Sequence, residues 1–121
     1  EKSQQKIWQN EEKLVLLHVY IRFAKLRNTY PSLAEGKMSK HGIYNENNTT
    51  AGKTIAAWYM TKDTEKMLVI HNFGVSATEI TLTDKIEKAV GVNGDIQQKK
   101  DGDDIMVKMG AYSTVVFKIS Q

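Results

Sequence analysis

The spacing of hydrophobic residues changes part-way along the chain. Residues 14–28 are rich in Leu, Ala, Lys and Arg, contain no Gly or Pro, and predict one strong helix. Tyr30-Pro31 ends it, because the residue before a proline is pushed out of helical geometry. Placed on a helical wheel, the apolar residues of this segment cover most of the circumference. His18, Arg22 and Lys25 form the one continuous polar stripe, and Arg27 falls inside the apolar arc. A helix lying on a single sheet needs an apolar stripe only somewhat wider than about 100°. This helix is therefore expected to pack on two sides.

Downstream the period shortens to two. Residues 67–74, Met-Leu-Val-Ile-His-Asn-Phe-Gly, suit a strand that Gly74 stops. Met67, Val69, His71 and Phe73 face one way, Leu68, Ile70 and Asn72 the other. Both faces are largely apolar, which predicts an interior strand. Residues 54–61, with Ile55, Trp58, Tyr59 and Met60, precede it across about six polar residues, a usual hairpin connection. Further strands are expected at 77–83, 96–100, 105–109 and 113–119, with Asp101-Gly102 as a hairpin turn. Residues 84–92 fit a helical turn or a strand, and 32–52 read as short strands broken by loops. Val69 and Val115 are expected in the core between two sheets. The pattern predicts six to eight short antiparallel strands after one helix. Residues 1–13 are either a frayed helical lead-in or an ordered arm.

At 121 residues this is one domain, with 40% hydrophobic and 26% charged residues, ordinary values for a globular chain. No apolar run approaches the roughly 20 residues of a membrane-spanning helix. Cysteine is absent, which removes disulfide and thiol chemistry. The net charge of +3 does not by itself mark a nucleic-acid surface. The lysines alternate with acids, as in Lys62-Asp63-Thr64-Glu65-Lys66, rather than clustering among aromatics. Nucleic acid is not an expected partner. The chain begins at Glu1 and reads as a piece of something longer.

Chemistry-bearing residues are scattered. His18, His41 and His71 lie on different elements without a second ligand at metal-binding spacing, so neither a metal nor a cofactor is expected. Asp101, Asp103 and Asp104 crowd a turn but lack the ligand pattern of a calcium loop. Asn47-Asn48-Thr49-Thr50 holds two overlapping glycosylation sequons, meaningful only in a eukaryotic secretory protein. No catalytic constellation is recognisable. Trp58, Tyr59 and Tyr44 are the candidate carbohydrate-binding residues, since sugars stack on exposed rings, and Tyr112 shares their ambiguity. Adjacent strand residues face opposite ways, so Trp58 and Tyr59 are not expected in one environment.

The order of several motifs resembles the C-terminal end of an α-amylase-family glycoside hydrolase. Arg27-Asn28 followed by Tyr30-Pro31-Ser32-Leu33 and Gly36 resembles the end of the last helix of the family's (β/α)8 barrel. Residues 55–61 and the Val69-Ile70-His71-Asn72-Phe73 run resemble paired strands of the domain that follows. Residues 110–117 resemble that domain's closing strand, although Ala111 stands where proline is usual and Thr61 where arginine is common.

The resemblance implies an antiparallel Greek-key β-sandwich of about eight strands preceded by one N-terminal α-helix. It divides the chain into residues 1–36, resembling the last barrel helix, and residues 37–121, the β-sandwich. It implies a non-catalytic accessory domain of an enzyme hydrolysing α-1,4-glucans, with the catalytic acids upstream. Leu16, Leu17, Tyr20, Phe23 and Arg27 would face the absent barrel. The implied partners are that barrel and an α-glucan, with an extracytoplasmic location. An autonomous starch-binding module is the alternative. The wide apolar arc also predicts that the isolated chain pairs as a homodimer through its helix.

Overall fold

The computed structural model describes residues 23–45 and 54–120. Helix α1 (Ala24–Thr29) stops at Tyr30, whose backbone turns extended while its N–H still bonds the Leu26 carbonyl at 2.7 Å. The stop before Pro31 is as the sequence predicts. The upstream part of the expected helix, with Leu16, Leu17 and Tyr20, lies outside the described residues, as do residues 1–13 and the sequons. A second short helix, α2 (Ser32–Glu35), follows Pro31 where the sequence suggested only strand and loop. Proline fits there because the first turn of a helix needs no N–H donor.

Eight strands follow: β1 (Lys37–Lys40), β2 (Ile55–Lys62), β3 (Glu65–Asn72), β4 (Thr78–Leu82), β5 (Ile86–Asn93), β6 (Ile96–Asp101), β7 (Asp104–Met109) and β8 (Thr114–Ile119). They form two antiparallel sheets, one in the order β1-β2-β3-β8-β5 and the other β4-β7-β6. The architecture is the expected mainly-β sandwich. Strand β3 is interior, paired with β2 on one side and β8 on the other.

The β2–β3 hairpin is tighter than expected. The strands pair through Lys62 and Glu65, leaving Asp63 and Thr64 as the turn, with Asp63 in the left-handed region. Gly102 takes the same conformation between β6 and β7, as the Asp-Gly signal implied. Residues 86–93 are strand, not helical turn. Two register irregularities against β8 break the alternation there, which is why the pattern was ambiguous.

Register assigns the faces. Trp58, Val69, Val116 and Gly91 stand opposite one another across four strands, and Gly91 abuts Phe23 and Leu26. That face of the larger sheet is the helical side. Ile55, Asn72, Ala57, Ile70 and Val115 occupy the other face, where Asn72 reaches the end of β7 in the second sheet. Val69 and Val115 are both buried, but only Val115 faces the second sheet; Val69 packs on the helical side. The expectation that both lie between the sheets fails because the larger sheet has two covered faces. Residues 55–58, 67–70 and 114–117 are all buried.

Candidate functional site

Three places combine unusual packing with polar chemistry. The first is the helical side of the larger sheet. Phe23, 7% exposed, caps α1, and Leu33 of α2 is buried with it in one core. Gly91 is what lets α1 approach: a Cβ there would lie 2.5 Å from Leu26 Cδ1 and 2.8 Å from Phe23 Cε1. Arg27 occupies the last turn of α1, where a cation complements the helix dipole. Lys118 Nζ sits 6.0 Å from the Tyr30 ring centre on the same side.

Gly91→Val is therefore expected to lift α1 and cost about 1–3 kcal/mol, as overpacking does. The check is the urea midpoint, with Gly91→Ala falling between wild type and Gly91→Val because the Leu26 methyl can swing aside. Equal midpoints for all three would show that α1 does not seat on β5.

The second place is a cluster on the opposite face of β2. His41 Nε2 lies 2.7 Å from Asp84 Oδ1, and the Tyr59 hydroxyl donates to Asp84 Oδ2. The Ile43 N–H donates to His41 Nδ1 at 3.0 Å, so Nε2 is the nitrogen left to donate to the carboxylate. The Tyr59 ring lies 5.1 Å from the His41 ring and 4.1 Å from Lys66 Nζ, which sits over its face. Burial, and then the hydrogen bond to Asp84 and the repulsion of its charge, push the Tyr59 hydroxyl well above its ordinary pKa.

For Asp84, burial alone would raise the pKa. The hydrogen bonds from His41 and Tyr59, with the attraction of His41 and a backbone bond, outweigh it and hold the carboxyl below its ordinary value. The aspartate sits between two donors, so the cluster ties β2, the segment after β1 and the β4–β5 connection together. It does not form a nucleophile–base pair.

The depressed pKa sets a sign. Asp84 stabilises the fold fully above the unfolded carboxylate pKa of about 3.9, and this contribution is lost as pH falls through the lower folded value. Asp84→Asn should be less stable than wild type at neutral pH, and the gap should close in acid. Urea midpoints from pH 7 down to pH 2 measure this; a gap independent of pH would mean the carboxylate charge contributes nothing.

The third place is the end of the sandwich where the β3–β4, β5–β6 and β7–β8 loops gather. Asn72, fully buried, holds it together. Its Nδ2 donates toward the carbonyls of Ser76, Met109 and Gly110 at 3.0, 3.1 and 3.0 Å, and its Oδ1 accepts the Gly74 N–H at 2.9 Å. His71 Nδ1 meets Thr114 Oγ1 at 2.7 Å on the helical side.

The sequence-derived site residues are thus dispersed. Trp58, 1% exposed, is core on the helical side and offers no face for a sugar. Tyr59 is half-buried in the Asp84 cluster, on the opposite face, and Tyr44 lies within the backbone turn Gly42–Asn45. Sequence reasoning missed the His41–Asp84–Tyr59 cluster and the role of Asn72. Two open recesses, of about 280 Å3 beside Pro31 and about 330 Å3 on the outer face of the smaller sheet, are lined without aromatic rings. Among the described residues no group of three His, Asp or Glu side chains could hold a metal, and no helix is long and apolar enough to cross a membrane.

The fold is an antiparallel sandwich whose larger sheet carries a helical segment on its outer face. A family model described as the alpha-amylase SusG C-terminal domain matches residues 55–116. The chain is 58% identical over 104 residues to the alpha-amylase SusG of Bacteroides thetaiotaomicron, a match covering 86% of this chain and 15% of that protein. This chain belongs to the SusG C-terminal domain family.

Solved structures agree on the fold. An α-amylase from H. orenii superposes with a TM-score of 0.64 at 20% identity, covering 86% of this chain and 20% of that one. The isomaltulose synthase from Erwinia rhapontici NX5 does so at 0.63 and 21%, covering 80% and 16%.

Proposed function

We propose that this chain is the accessory domain of an α-amylase-type enzyme and performs no hydrolysis itself. Its work is to dock a catalytic barrel through the helical side of its larger sheet. Residues 1–36 would belong to that junction and residues 37–121 to the accessory sandwich. Phe23 was expected to face the barrel but is buried in the chain's own core against Gly91, so Arg27, with Leu16, Leu17 and Tyr20 upstream, would carry the contact.

The observation that supports this most is the two-sided burial of β2, β3 and β8. The smaller sheet accounts for one covered face; the other belongs to the helical segment. A domain built this way extends its core toward what precedes it in the chain. The parent would hydrolyse α-1,4-glucans with retention, using two carboxyls about 5 Å apart in the barrel. The resemblance supplies no such pair in this chain.

Incubation of the purified chain with soluble starch and maltooligosaccharides should release no reducing ends above buffer. Turnover that co-purifies with the chain and is lost on its denaturation would overturn the accessory reading.

A further inference from the structure

Tyr112 combines two features. Its backbone lies in the left-handed region at φ 55°, and its side chain is 59% exposed. That conformation favours Gly or Asn, because a Cβ there crowds the backbone. A tyrosine holds it only when its surroundings fix the chain.

The surroundings do so from beneath. The Gly110 carbonyl accepts from Asn72 Nδ2 at 3.0 Å, Ser113 Oγ at 2.7 Å and the Ser113 N–H at 3.3 Å. The Gly110 N–H donates to the Asp95 carbonyl at 2.8 Å, and the Asn72 N–H to the Ser113 carbonyl at 2.9 Å. Every one of these bonds anchors the base of the turn. None involves the Tyr112 ring, which the strained backbone carries out toward solvent.

We propose that Tyr112 is a stacking platform for one glucopyranose unit of a neutral α-glucan, at the loop end of the sandwich. The choice of an α-glucan rests on the reading of the parent as an amylase-type enzyme. A pyranose presents an apolar C–H face the size of one aromatic ring, with hydroxyls at its edge. The turn offers a single preset ring, and the neighbouring loops, tied to its base through Gly110 and Asn72, carry the exposed polar residues Asp95 and Ser76. Among the described residues the other large exposed apolar side chains toward this end are Val75, 79% exposed on the loop that Asn72 also holds, and Val92, 51% exposed near the end of β5. Three such side chains fall far short of the roughly 800 Å² per partner of a stable protein interface. A rigid aromatic loses little side-chain entropy on contact, so a strained turn that presets it favours binding over stability.

The test uses the whole chain as wild type, Tyr112→Phe and Tyr112→Gly. Each is titrated with maltoheptaose into the millimolar range by NMR and run in native gels containing soluble starch. Wild type and Tyr112→Phe should shift at the 110–113 turn and be retarded by starch. Tyr112→Gly should weaken both by at least about tenfold, since the ring is the contact. The same variant should melt about 2–5 °C higher, because glycine relieves the left-handed strain.

A wild-type chain that ignores maltoheptaose overturns the proposal, and so does undiminished binding by Tyr112→Gly. A lowered melting temperature for Tyr112→Gly also overturns it, by showing that the ring supports the fold. None of these results bears on the accessory reading, which the hydrolysis assay decides separately.

Discussion

Replacing Asn72 by Asp is expected to remove most of the stability at neutral pH, and acid is expected to restore part of it. The Asn72 amide shares two N–H groups among three carbonyl oxygens drawn from two loops and the end of β7. A carboxylate in that position has no donor and faces the same three oxygens while fully buried. An unpaired charge left in such a site costs about 3–5 kcal/mol. Burial and the facing carbonyls raise the folded-state pKa of the introduced acid. The penalty therefore grows as pH rises above the unfolded pKa of about 3.9, and shrinks as the acid protonates and regains one donor. Asn72→Ala serves as the comparison: it loses the bonds without adding charge, costs about 2–4 kcal/mol, and should show no added pH dependence. Urea midpoints at pH 7 and pH 4 separate the two variants. A wild-type midpoint for Asn72→Asp at pH 7 would show that the amide is not what joins the sheets.

How much of this was legible in the sequence depends on the distance over which each feature is encoded. The interior strand β3 was readable because Met67 through Ile70 are apolar on both faces, a local property. The helix stop before Pro31 and the turn at Gly102 were readable for the same reason. The short helix α2 was not, since four residues carry too little periodicity to announce themselves. Asn72 looked like one polar residue on an apolar strand; its partners at 109 and 110 are set by the pairing of two sheets. His41 and Asp84 lie 43 residues apart, and no spacing rule connects them. The expectation for Val69 erred in face because alternation says which residues share a side, not which layer covers that side. Tyr112 carried no signal beyond being aromatic, since its left-handed backbone appears only in the structure.

Trp58→Ala is expected to cost about 3–5 kcal/mol, the range for deleting a fully buried large aromatic. The ring lies on the helical side of the larger sheet at 1% exposure, on the strand that α2 packs against. Its neighbours in register are Lys40 on β1 and Val69 on β3. Removing it opens a cavity beneath the helical segment, and the segment cannot close it without pulling Leu33 and Phe23 from the core they share. Thermal melts followed by far-ultraviolet circular dichroism should show the loss, with Trp58→Phe recovering a large part because it keeps most of the buried area. A sugar-binding role for Trp58 predicts the opposite: an unchanged melt for Trp58→Ala, and a wild-type fluorescence change on adding maltoheptaose that the variant lacks. The two outcomes place the domain's contacts differently. If Trp58 supports the fold, its ring is not available to a sugar, and any glucan must be met elsewhere. Tyr112, at the far end of the strands on a turn whose anchoring bonds leave its ring outside, is then the exposed ring already positioned for it.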